Sequence, residues 1–137
     1  MAANSFPTGT PVGRTIQTKI GSVARTDTAA KFLFTLPKYA QVVRVELLTA
    51  VASNAGTTAT VSVGNTSAAN QLVLSQDVKT AAGYLRPATT AVAAGYFANA
   101  TTDIPIYAIY AETGAASSSG GPWSVLVEYI VTGPGYQ

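Results

Sequence analysis

The chain has 137 residues, enough for one domain and too few for two comfortable ones, and it contains no cysteine and no histidine. Those absences exclude a disulfide framework, thiolate and imidazole metal ligands, a cysteine nucleophile and a Ser-His-Asp triad. Charged residues are 10% and apolar residues 47% at a net charge of +2, which is too apolar for a disordered chain, while no run approaches the ~20 apolar residues that span a bilayer.

Residues 1–15, MAANSFPTGTPVGRT, read as a polar, proline-punctuated arm. Pro7 and Pro11 favour extended backbone and oppose regular pairing. The segment has neither a basic nor an apolar run of the secretory kind, so no signal peptide is expected. Two readings stand: a frayed terminus, or an arm lying on a neighbouring subunit with Phe6 as its anchor.

From residue 16 the pattern alternates with period two, the mark of half-buried strands. Ile16, Thr18, Ile20, Ser22 and Ala24 share one parity; Gln17, Lys19 and Arg25 share the other. Phe32, Phe34 and Leu36 fall on one face of a strand that Pro37 ends. Val43, Val45, Leu47 and Thr49 fall on one face of the next, with Arg44 and Glu46 on a solvated face. Ser53-Asn-Ala-Gly56 reads as a turn, and Thr57–Gly64 returns with Val61 and Val63 inward, so residues 41–64 predict a β-hairpin.

Leu72, Val73 and Leu74 mark a short buried strand or bend. Residues 77–83 could form a helical turn, and 89–94 is ambiguous between alanine's helix preference and the strand preference of its neighbours. Ile104, Ile106, Ala108 and Tyr110 line one side of a strand that begins at an edge, since Pro105 cannot donate to a ladder. Residues 113–122, TGAASSSGGP, read as a flexible loop. Trp123, Val125, Val127, Tyr129 and Val131 fall on one face of the last strand and Ser124, Leu126, Glu128 and Ile130 on the other, before a tail at 133–137. Seven or eight short strands without a confident helix predict an all-β domain over 16–132: a single antiparallel β-sandwich or barrel, with the jelly roll among the topologies allowed.

Charge is unevenly spread. Residues 1–44 carry Arg14, Lys19, Arg25, Lys31, Lys38 and Arg44 against Asp27 alone, and the remainder is net acidic. The basic residues either decorate outward faces or meet an acidic partner; head-to-tail packing of like subunits is one such use. No lysine/arginine run or RNA-binding aromatic signature invites nucleic acid. No carboxylate pair is placed for glycosidase work, no acidic cluster suggests calcium, and the Ser117–Gly121 stretch lacks the lysine of a phosphate loop. No catalytic residue, metal or cofactor is expected. Tyr107 and Tyr110, like Tyr96 and Phe97, lie on opposite parities, so one of each pair belongs to the core and the other is a candidate interface aromatic.

The stretch Phe32–Gly83 has a Leu-Pro strand end, an alternating valine strand, an Asn-Ala-Gly-Thr-Thr turn, a TVSVGN return strand and an AANQLV segment. It resembles small β-sandwich structural proteins of tailed-bacteriophage virions. The resemblance implies a virion subunit made in the host cytoplasm, of the capsid decoration or cement type. Its partners would be major capsid protein or other virion subunits and copies of itself, a trimer first, with no nucleic acid and no membrane. The expected contacts are the arm residues Phe6, Pro7, Pro11 and Arg14 with Lys19 and Arg25. The alternative is a tail or head-fibre subunit with a glycan-facing role for Tyr96, Tyr107 or Trp123. A secreted adhesin and an enzyme rank below both.

Overall fold

The computed structural model describes residues 15–80, 82–85 and 100–131. The arm residues 1–14, the ambiguous segment 89–94, Tyr96, Phe97 and the tail 133–137 lie outside them. Eight strands run in chain order: β1 Gln17–Val23, β2 Lys31–Leu36, β3 Ala40–Thr49, β4 Thr58–Gly64, β5 Val73–Asp77, β6 Gly83–Leu85, β7 Ile104–Thr113 and β8 Trp123–Val131. They form two antiparallel four-stranded sheets, β1-β8-β3-β6 and β2-β7-β4-β5. The pairing is nested: β1 with β8, β2 with β7, β3 with β6 and β4 with β5.

The core lies between the sheets. Val125, Val127, Val45 and Leu47 from one sheet face Val61, Val63, Ile104 and Ile106 from the other. Each fully buried aliphatic side chain contributes about 1.5–3 kcal/mol of transfer free energy. The residues grouped on one face of β7 and of β8 by their alternation are those turned to the core, with Val131 only partly buried, and Tyr110 and Trp123 stack in parallel at 4.9 Å between ring centres.

Several local expectations are corrected. Residues 41–64 do not form a hairpin: β3 and β4 belong to opposite sheets, and 50–57 crosses between them. Strands facing each other across a core alternate just as hairpin partners do, so the pattern could not separate the two. A bulge between Val42 and Arg44 places Val42 in the core and leaves Val43 exposed. A second bulge at Leu33 sends Phe32 outward while Phe34 and Leu36 stay inward. Glu46, expected to be solvated, is buried.

No helical turn forms at Asp77; its carboxylate instead accepts from the backbone N–H groups of Lys79 and Thr80 and from the Thr80 hydroxyl. β7 is an interior strand over most of its length, and it begins at an edge, as Pro105 led us to expect. Pro105 is tolerated because β4 ends at Gly64, opposite Tyr107, and leaves Pro105 flanked by β2 alone.

Candidate interaction surface

One end of the sandwich gathers most of the polar chemistry. β7 delivers Tyr110 and Glu112, and the crossing 50–57 and the loop 114–122 fold over them. The Tyr110 hydroxyl donates to Glu112 Oε2 at 2.6 Å and shares a 2.8 Å hydrogen bond with Ser53 Oγ. The Ser117 N–H donates to both Glu112 oxygens, at 3.1 and 3.2 Å. Hydrogen bonds from Ser117 and then Tyr110 hold the Glu112 carboxyl below its ordinary range, with the Arg25 charge adding to them.

Asn54 completes the cluster. Its Oδ1 accepts from the N–H groups of Ser118 and Ser119, at 2.9 and 3.0 Å, and its Nδ2 donates to Ser118 Oγ. At Gly120, with φ of 122°, a Cβ would sit 2.6 Å from Ser53 Cα, so only glycine allows the loop to close this tightly. The serine-glycine loop is therefore a tied element, not the free one its composition suggested. Trp123 Nε1 and Thr49 Oγ1, on strand ends leading into these loops, are buried without a hydrogen-bond partner among the described residues.

Among the described residues, Lys19, Arg25, Lys31 and Arg44 are each held by a partner within this chain. Lys19 Nζ crosses to the other sheet and donates to the Thr35 carbonyl at 2.8 Å; Arg25 Nη1 donates to the Ser117 carbonyl at 2.8 Å. Both expected contact residues thus tie this chain to itself, at separate places. Lys31 pairs with Asp27, and Arg44 bonds Glu128 at 2.6 Å while facing Glu46. The other expected contacts, Phe6, Pro7, Pro11 and Arg14, lie outside the described residues.

The described residues also present apolar side chains to solvent. On β1 the parity of Gln17, Lys19 and Val23 faces the core, in register with Tyr129, Val127 and Trp123. Ile16 and Ile20 therefore point to solvent, at 55% and 65% exposure. On the other sheet Phe32, 53% exposed, meets Tyr107 edge to face at 5.9 Å. The outer-face positions around them, Ile109, Ala111, Ser62 and Thr60, carry no charge. The alternation of β1 was legible in the sequence, but its sense was not, and the bulge that exposes Phe32 has no sequence signal. Trp123 is fully buried and offers no stacking platform. Among the described residues no group of carboxylates could hold a metal ion.

No family model matches this sequence, and no curated protein matches it. Among solved structures, a chain of the "Cyanophage Pam1 capsid asymmetric unit" is similar: TM-score 0.63 at 20% identity, over 96% of this chain and 93% of that one. The resemblance to phage virion structural proteins thus extends to the fold of almost the whole chain.

Proposed function

We propose that this chain is a structural subunit of a tailed-bacteriophage virion, of the decoration or cement type, that stabilises the head by bridging capsid subunits. The observation that carries the reading is the fold agreement with a capsid chain over 96% of the sequence. The nested pairing supports it: we read it as the jelly-roll winding used by viral capsid and lectin domains. The surface fits as well. Low charge and outward Ile16, Ile20 and Phe32 suit a subunit that is covered when assembled. The arm, through Phe6, Pro7, Pro11 and Arg14, reaches a neighbouring subunit, and many weak contacts repeated by symmetry supply the affinity.

The test uses heads that lack the protein. Purified chain added back is expected to co-sediment with them and to raise the temperature at which they release DNA. Heads that neither bind it nor gain stability would overturn the assignment. A second reading, a tail or head-fibre subunit facing a glycan, draws on the exposed Phe32–Tyr107 pair. Glycan-array binding abolished by Phe32→Ala would favour it.

A further inference from the structure

A sandwich of two open sheets has four edges, and each exposed edge is a template for another strand. Three of the four are guarded here. β6 has three residues. β5 has five, with Ser75 at a positive φ of 53° and a shift in its register with β4. β2 is broken by the bulge at Leu33, and its Thr35 carbonyl is already taken by Lys19.

β1 has none of these guards. Its seven residues run in unbroken register along β8, without proline or bulge. Beyond that ladder, the backbone groups of residues 17–22 have no partner among the described residues. The strand's single charge, Lys19, is on the inward parity and is spent on Thr35, so the lysine guard typical of edges is missing. Beside the open edge stand Ile16 and Ile20, both exposed.

We propose that the β1 edge is an interaction surface for a second copy of this chain, whose β1 pairs with it antiparallel across a two-fold axis at Ile20. The proposal rests on the virion subunit proposed above and puts a two-fold contact in place of the trimer that the resemblance implied. This register is self-complementary. Ile20 meets Ile20 of the second copy, and Thr18 meets Ser22. Lys19 lies opposite Gly21, so the strand's one charge does not oppose itself. The two β1-β8-β3-β6 sheets become one continuous sheet, and an isologous contact uses up both open edges and closes. Seven paired residues span only about 24 Å, so the contact is smaller than a standard interface and its dimer dissociates on dilution.

Sedimentation velocity of the full chain, from low-micromolar to near-millimolar concentration, tests this. The expected result is a reversible rise toward twice the 14.0 kDa monomer mass. Ile20→Lys puts two ammonium groups face to face and should weaken the dimer more than ~10-fold. Leu74→Lys, equally exposed on the far edge of the other sheet, should leave it unchanged. Hydrogen exchange supplies a second readout: amides of residues 17–23 unprotected in dilute wild type should become protected as concentration rises. A monomer at all concentrations, an odd-numbered oligomer, an unaffected Ile20→Lys dimer, or loss of the dimer in Leu74→Lys would each overturn the proposal. Attachment to heads is measured separately. A monomer that still binds heads defeats only the β1 contact, whereas a β1 dimer that ignores heads defeats the virion assignment.

Discussion

Gly21→Ala is an informative single change, because two effects of opposite sign compete at that position. A methyl group there would lie 2.9 Å from Leu33 Cβ and 3.3 Å from both Leu33 Cδ atoms. The 2.9 Å contact is with an atom fixed to the β2 backbone, so no rotamer change relieves it. The edges of the two sheets must part by a few tenths of an ångström, at the typical overpacking cost of about 1–3 kcal/mol. Against this, alanine restricts the unfolded chain and favours folding by about 0.4–1 kcal/mol. The net expectation is a loss of about 1–2 kcal/mol, read as a melting temperature lower by roughly 3–7 °C for a chain this size. Leu33→Ala removes the Cδ contacts and keeps the Cβ contact. In a double-mutant cycle the two changes should therefore couple favourably, by about 0.5–1 kcal/mol. Differential scanning calorimetry of the four proteins decides it. A neutral or stabilising Gly21→Ala, or strict additivity, would refute the close approach of β1 and β2.

Further expectations concern the loop end, pH and the arm. Asn54→Ala removes three hydrogen bonds to Ser118 and Ser119 and should destabilise by about 1–2 kcal/mol while making 114–121 the preferred site of limited proteolysis. Three carboxyls sit below their ordinary values: Asp27, chiefly through the Ala24 N–H; Asp77, chiefly through the Thr80 hydroxyl; and Glu112, chiefly through Ser117. Their contribution is complete above the ordinary values of 3.8 and 4.5 and drains away as pH falls below these through the lowered ones. Thermal melts should accordingly be flat from neutrality to about pH 5 and drop in that acid window. Deleting residues 1–14 should leave the melting temperature within a few degrees and weaken attachment to heads; undiminished attachment would exclude the arm.

Much of the architecture was legible because period-two alternation survives in the inner strands. β8 shows it without interruption, from Trp123 through Val127 to Tyr129, and so does β7 from Ile104 to Tyr110. The failures have specific causes. One inserted residue at Val43 or Leu33 inverts the parity beyond it, and no residue type announces a bulge that needs no glycine. The crossing at 50–57 looked like a hairpin turn because its asparagine and glycine serve another purpose: Asn54 holds the neighbouring loop, and at Gly56 a Cβ would collide with the Ala115 backbone.

β1 is the most instructive disagreement. A hydrophobicity argument taken alone turns Ile16 and Ile20 inward and leaves Gln17 and Lys19 to solvent. The fold instead turns Ile20 outward and Lys19 toward the seam: Lys19, half-buried, reaches Thr35, while Gln17, still exposed at the start of the strand, accepts from the Tyr129 hydroxyl at 3.0 Å. The parity that carries Lys19 to the seam of the sandwich leaves two isoleucines outside, an arrangement unfavourable for an isolated monomer. Where local pattern and global fold disagree in this way, the compensation is expected at a functional surface. It lies on the one edge strand of more than three residues that has no bulge, no proline and no free charge, so the exposed isoleucines and the open edge have a common explanation in assembly.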